Sequence, residues 1–114
     1  MPFINSKISK TVTKQQEEEI KSRLGQAITL LPGKSESWLM VGFENDYHLY
    51  FKGDNTQASA MVEVSVYGSE NPNAFSALTG EITKILNEVL GIAPDRIYVK
   101  YTATGNWGWN GANF

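Results

Sequence analysis

The first residues of the chain carry the group best suited to chemistry in this sequence. The chain opens Met1-Pro2, and initiator methionine is normally removed when the next residue is as small as proline. Its removal leaves Pro2 with a free secondary amine, directly before a short strand-like segment at residues 3–8. A neutral amine can take a proton from carbon when its pKa falls toward the working pH, and burial beside cations lowers that pKa. Pro2 is therefore a candidate general base, although Met-Pro also opens many proteins in which it has no chemical role.

The composition excludes several other classes of function. The chain has 114 residues, which fits one domain, and its 10 basic and 12 acidic residues form no basic stripe for nucleic acid or anionic membrane. It has no cysteine, and its one histidine, His48, cannot build a histidine metal site, so we expect no metal and no cofactor. No signal peptide or membrane-spanning run is visible. We expect a cytoplasmic protein, one that would be secreted only without a signal peptide.

The first half of the chain predicts a strand, a helix and a strand. Residues 2–8 are the first strand. Thr13 with Gln16 three residues later is a capping box, and the helix that it begins should run over residues 14–31 until Pro32-Gly33. The other predicted strands of this half are residues 38–43 and, after a turn, the short segment 47–51.

The second half repeats the same order of elements. Residues 60–68 alternate as the strongest strand of the sequence. Asn71 and Pro72 are typical of an N-cap and a first helical position, and Gly91 should end the helix. Residues 97–101 are the next strand, and an aromatic, loop-rich tail follows from Gly105.

This pattern predicts an α+β fold made of one unit used twice. The halves span about residues 1–57 and 58–114 of a single domain. Each is a β-α-β unit whose right-handed crossover makes its two strands parallel. We expect a four-stranded mixed sheet with both helices on one face and short extra strands. The opposite face, with Glu63, Tyr67 and Lys100, is of mixed polarity, and it is either solvated or covered by copies of the same chain.

Five motifs are spread along nearly the whole chain: Met1-Pro2, Gly33-Lys34, Ser65-Val66, Pro94-Asp95-Arg96-Ile97-Tyr98 and Gly108-Trp109-Asn110. In this order and spacing they resemble those of the macrophage migration inhibitory factor family, in the tautomerase superfamily. The resemblance implies a homotrimer whose sheets form a barrel, with sites between subunits. It also implies keto–enol tautomerisation of phenylpyruvate-like acids, and some members act as cytokines.

The resemblance also implies roles for individual residues. Pro2 matches the catalytic base, Lys34 matches the lysine that binds the substrate carboxylate, and Tyr98 matches a tyrosine that enters from a neighbouring subunit. Lys100 stands where an asparagine often lines the pocket. Residues 58–61 stand where some members have Cys-x-x-Cys, so no thiol redox activity is expected. The implied substrate-binding residues are Phe3, Trp38, Ser65, Val66, Lys100, Trp107, Trp109 and Phe114.

Each of these assignments has a structural alternative. Lys34 could be a loop lysine that interacts with a helix C-terminus, and Tyr98 could be an ordinary aromatic residue of a strand. The tail tryptophans could serve only to pack the tail against the rest of the chain. At the level of the whole protein, the alternatives to a tautomerase are a secreted cytokine-like protein that binds a receptor, with a vestigial pocket, and an inactive structural homologue. Together, in this order, the motifs favour a tautomerase that takes small aromatic keto acids.

Overall fold

The fold is built from the two predicted strand–helix–strand units. The computed structural model describes residues 1–114. Its main elements are β1 (Pro2–Ile8), α1 (Lys14–Ala27), β2 (Met40–Glu44), β3 (Ala60–Tyr67), α2 (Pro72–Leu90), β4 (Ile97–Thr104), β5 (Gly108–Trp109) and β6 (Ala112–Asn113).

The four longer strands form one mixed sheet in the order β2-β1-β3-β4. Strands β1 and β2 are parallel, β3 and β4 are parallel, and the two units meet where β1 runs antiparallel to β3. This topology confirms the predicted pair of β-α-β units. It also makes β1, whose first residue is Pro2, a central strand with a neighbour on each side.

The hydrophobic core lies between one face of the sheet and the two helices. Strands β1 and β3 alternate strictly between buried and half-buried residues. Burying a Val, Leu or Ile side chain contributes about 1.5–3 kcal/mol, so this alternation determines which face the helices cover. The fully buried side chains include Ile4, Ile8, Val62, Val64, Ile20, Leu24, Leu78, Ile82 and Ile85.

The helix ends are confirmed where the sequence showed caps. Thr13 and Gln16 form the predicted capping box at the start of α1. The Asn71 side chain accepts a hydrogen bond from the backbone N–H of Ala74 at the start of α2. Gly91 ends α2 in the left-handed conformation, at φ 71°, where a residue without Cβ is favoured.

Two predicted element boundaries were wrong. Helix α1 ends at Ala27, and residues Ile28–Leu30 tighten into a 3₁₀ turn before Leu31 becomes extended. The reason is Pro32, because a residue that precedes proline avoids the helical conformation. Trp38 closes a second 3₁₀ turn, Glu36–Trp38, and the strand after it begins only at Met40.

The predicted strand at residues 47–51 is also absent. Tyr47 donates one backbone hydrogen bond to Ile8, and Phe51 pairs only with Asp54 across a tight turn. A strand needs a partner strand, and the chain places none beside this segment. Conversely, the tail is more regular than expected, because β5 and β6 pair as a small antiparallel hairpin. Neither helix of the fold is of the length and apolarity that crossing a membrane requires.

Candidate functional site

Pro2 lies buried at the start of β1, in the middle of the sheet. It stands opposite Val66 of β3 in the antiparallel register, and Phe3 stands opposite Ser65. Met1 continues this pairing, since its carbonyl accepts a hydrogen bond of 3.1 Å from the backbone N–H of Tyr67. Pairing with β3 therefore fixes the backbone of Pro2 and Phe3, whereas the hydrogen bond to the Met1 carbonyl is lost when Met1 is removed.

An aromatic pocket of about 380 Å³ opens at Pro2. The rings of Trp38 and Trp109 meet edge to face, with centroids 5.2 Å apart. Edge-to-face packing is one of the favourable geometries of two aromatic rings, and this pair forms one wall of the pocket. The residues that line the pocket are Met1, Pro2, Phe3, Ser37, Trp38, Leu39, Met40, Trp107, Gly108 and Trp109.

The β5–β6 hairpin brings the tail tryptophans to this pocket. Asn110 and Gly111 both have positive φ, 53° and 87°, as a two-residue hairpin turn of the Asn-Gly kind requires. A Cβ on Gly108 would stand 2.8 Å from Oδ1 of Asn113, so any larger residue there would require the exposed Asn113 side chain to move. The tail aromatics are thus placed by a defined turn.

Phe114 is bonded to a residue of the pocket through its backbone, but its ring packs against Tyr67, outside the pocket. Its backbone N–H donates to the carbonyl of Trp107 over 3.1 Å, which ties the end of the chain to the pocket wall. Its ring packs against Tyr67, with centroids 5.1 Å apart. Phe114 therefore does not line the Pro2 pocket of its own chain.

Lys34 lies next to the amino terminus. Its Nζ donates a 2.8 Å hydrogen bond to the carbonyl of Tyr67. It lines a smaller cavity of about 160 Å³ together with Val66, Tyr67 and Gly68. Burial and the adjacent Lys34 ammonium lower the pKa of the terminal amine, which belongs to Met1 in this structure. Both effects disfavour the charged form of an amine.

Tyr98 and Lys100 are not brought to the pocket of their own chain. Tyr98 is paired in register with Met61 of β3, five positions along the strand from Val66, or about 17 Å at the rise of a β-strand. Lys100 stands opposite Glu63, part-way along the same distance. Both side chains are exposed, Tyr98 to 60%. Neither side chain can reach the Pro2 pocket of its own chain, so each could act only at the pocket of another molecule.

Several residues at the site are not among those that the sequence predicts, and Met40 in the pocket and Tyr67 beside Lys34 are two of them. Met40 stands directly opposite Phe3 in the β1–β2 register and is 69% exposed on the open face. Its place on the open face followed from strand alternation, but its position beside Phe3 depends on the register. Tyr67 supplies the carbonyl that holds Lys34, a backbone role for which its residue type carries no signal.

Comparisons with known proteins identify the family and the fold of the chain. The whole chain, residues 1–114, matches the family model for macrophage migration inhibitory factor (MIF). The chain belongs to the MIF family. The macrophage migration inhibitory factor of Meriones unguiculatus is 28% identical to it over 101 residues, which cover 85% of each chain. MIF2 of Leishmania major is 31% identical, with a TM-score of 0.92 over 100% of this chain and 97% of that one.

A more distant structure shares the fold. The crystal structure of Pt0534 inactivated by 2-oxo-3-pentynoate is 16% identical, with a TM-score of 0.84 over 96% of this chain and 92% of that one. Membership of the MIF family supports a tautomerase-type or cytokine-like role for the chain. Proteins of the MIF family typically form oligomers.

Proposed function

We propose that the chain is a keto–enol tautomerase for phenylpyruvate-like aryl α-keto acids, with the Pro2 amine as general base once Met1 has been removed. The observation that carries this proposal is the position of Pro2. It is buried at a pocket that Trp38, Trp107 and Trp109 line, while the Lys34 ammonium lies beside the amino terminus. A base, an aromatic slot and a cation are the groups that an aryl α-keto acid requires.

In this reaction one proton moves between carbon and oxygen of the substrate. The neutral Pro2 amine takes a proton from the carbon next to the ketone. The electron pair of that C–H bond forms the carbon–carbon double bond, the π pair of the carbonyl moves to its oxygen, and the enol forms when the protonated amine gives its proton to that oxygen. Ketonisation is the reverse process. Lys34 binds the carboxylate, with the backbone N–H of Val66 assisting, and the tryptophans hold the aryl ring, so that the reacting carbon is kept near the amine.

The surroundings of the terminus favour the neutral form of an amine. In the present structure, burial first and Lys34 second lower the pKa of the Met1 amine, one residue from the Pro2 nitrogen. We propose that the same surroundings act on Pro2 after trimming. A base with a lowered pKa has a larger neutral fraction at a given pH, and the neutral amine is the form that accepts a proton.

We also propose that the active protein is a homotrimer in which Tyr98 of one subunit completes the pocket of the next. Tyr98 and Lys100 are exposed and lie far from their own Pro2. Strands β2 and β4 are the two edges of the sheet, and both leave backbone groups free to pair with another subunit. A closed ring of subunits removes such edges.

Light scattering and subunit mixing test this assembly. We expect a trimer mass at micromolar concentration. Protein that retains Met1 and trimmed Tyr98→Ala protein, each of low activity, should regain activity when they are denatured and refolded together, because some mixed sites then combine a free Pro2 amine with Tyr98. Either protein refolded alone is the control. A monomer mass, or no recovery in the mixture, would contradict a shared site.

Turnover of phenylpyruvate tests the function itself. Trimmed protein, its first residue identified as Pro2 by mass spectrometry, should accelerate ketonisation. It should also be labelled at Pro2 by 2-oxo-3-pentynoate, an α-keto acid whose triple bond is conjugated to the ketone and therefore accepts a neutral amine. A folded, trimmed protein that shows neither turnover nor label would contradict the proposal and favour the cytokine-like interaction protein.

A further inference from the structure

One exposed tyrosine is held in place although nothing in its own chain uses its hydroxyl group. Tyr98 is 60% exposed, and its hydroxyl makes no hydrogen bond within the chain. Its ring nevertheless meets the edge of Phe51, with centroids 5.2 Å apart and an interplanar angle of 90°. An exposed ring with one fixed aromatic neighbour has a preferred direction before any partner arrives.

Phe51 is itself fixed by a tight turn. Its backbone N–H and carbonyl exchange two hydrogen bonds of 3.0 Å with Asp54. Lys52 and Gly53 between them have φ values of 54° and 74°, as a two-residue turn with both centres left-handed requires. The Asp54 carboxylate further accepts hydrogen bonds from the N–H and the hydroxyl of Thr56, at 3.0 and 2.7 Å.

Arg96 connects this turn to the sheet. Its guanidinium carbon lies 5.4 Å from the centre of the Phe51 ring, within the range of a cation–π contact. The side chain is only 9% exposed. It donates to the Asp54 carbonyl at 2.9 Å, the Ser59 hydroxyl at 2.9 Å and the Ala58 carbonyl at 3.2 Å, and it lies 3.7 Å from the Asp54 carboxylate.

We infer that Arg96 is a positioning residue for Tyr98 and that it acts through Phe51. The Arg96 guanidinium fixes the turn and contacts the Phe51 ring. The Phe51 ring in turn fixes the direction in which the Tyr98 side chain projects from the surface of the subunit. This inference rests on the proposed function, in which Tyr98 completes the pocket of a neighbouring subunit. It adds two residues that touch no substrate but set the geometry of one that does.

A double-mutant cycle on the trimmed protein separates positioning from a general loss of stability. Phe51→Leu keeps an apolar side chain but removes the aromatic edge, and it should lower kcat/KM for phenylpyruvate about two- to tenfold. In a Tyr98→Ala background the same change should cause no further loss, because the ring that it positions is gone. An equal loss in both backgrounds, or full activity of Tyr98→Ala, would overturn the inference.

Arg96→Lys gives a second variant in case Phe51→Leu does not fold. Lysine retains the charge but not the fork that reaches the Ala58, Ser59 and Asp54 groups together. Its activity loss should likewise vanish in the Tyr98→Ala background. Arg23→Lys is the matched control, since Arg23 is also ion-paired, to Glu88 at 2.6 Å, but lies on the helices. It should leave kcat/KM unchanged.

A measurement that needs no turnover keeps this test independent of the proposed function. With fluorotyrosine incorporated, the fluorine signal of Tyr98, assigned by its absence in Tyr98→Phe, should shift and sharpen in Phe51→Leu as the ring gains freedom. The signal should be unaffected by Arg23→Lys. A Tyr98 signal identical in the wild type, Phe51→Leu and Arg96→Lys would overturn the inference even in an active enzyme. Inactive wild type with the expected signal changes would contradict the proposed function alone.

Discussion

Protein that retains Met1 should turn over phenylpyruvate at least ~100-fold more slowly than protein that begins at Pro2, although both should fold. General-base catalysis contributes about 10²- to 10⁴-fold, and acylation of the Pro2 nitrogen removes it completely because the lone pair is delocalised into the peptide bond. Met1 also lines the aromatic pocket, so its side chain takes up space that the substrate needs. The comparison requires only two preparations of one sequence, distinguished by mass spectrometry.

Two variants define the chemical requirement at this position. Any other residue added before Pro2 should be as harmful as Met1, because it forms the same amide. Pro2→Gly at a trimmed terminus retains an amine but loses the ring that sets its direction, so it should keep partial activity. Equal turnover by the Met1-retaining and trimmed proteins would refute the proline mechanism.

The pH dependence of the trimmed enzyme should follow the same amine. The surroundings lower the pKa of an amine at the terminus, through burial and then through Lys34. Because the neutral form is the active one, kcat/KM should rise as pH increases through this lowered pKa and level off above it. The midpoint should lie below the value of about 7.7–8.0 of an ordinary α-amine. A midpoint at or above that value would contradict desolvation of the site.

Lys34→Ala should raise KM for phenylpyruvate ~10- to 100-fold while it changes kcat much less. A hydrogen bond to a charged group contributes about 1.5–3 kcal/mol, and Lys34 would hold the carboxylate in the ground state and the transition state alike. The side chain is already oriented by its bond to the Tyr67 carbonyl, so little ordering remains for substrate binding. Steady-state kinetics on the trimmed protein measures both constants.

The same variant should also move the pH profile. Removing the Lys34 cation removes one of the causes that lower the pKa of the terminal amine, so the midpoint of kcat/KM should shift upward. Lys21→Ala is the matched control, because Lys21 is an exposed lysine of α1 outside the pocket. An unchanged KM for Lys34→Ala would transfer the carboxylate role to Lys100 of a neighbouring subunit, which Lys100→Ala would then test.

The local features of the fold followed from the sequence because their causes are local. The cap residues Thr13 and Asn71 and the left-handed Gly91 act within one helical turn, and the structure confirms all three. Strand alternation around Val64 likewise depends on neighbouring side chains alone, and it identified the face that the helices cover. The family also followed from the sequence, because motifs such as Pro94-Asp95-Arg96-Ile97-Tyr98 are stretches of adjacent residues.

The tertiary structure decided whatever depends on a distant partner. Residues 47–51 have the composition of a strand, but no strand of the folded chain lies next to them to pair with. Composition alone therefore predicted their structure wrongly. Two contacts at the site join segments that are distant in the sequence. Trp38 packs against Trp109 because the tail hairpin brings them together, and Lys34 donates a hydrogen bond to the Tyr67 carbonyl at the end of β3. Tyr98 also depends on both levels. Its motif identifies the residue, but the sheet register places it five positions, about 17 Å along the strand direction, from the level of its own Pro2. A side chain's type is encoded at one position, whereas its partners are determined by the packing of the whole chain.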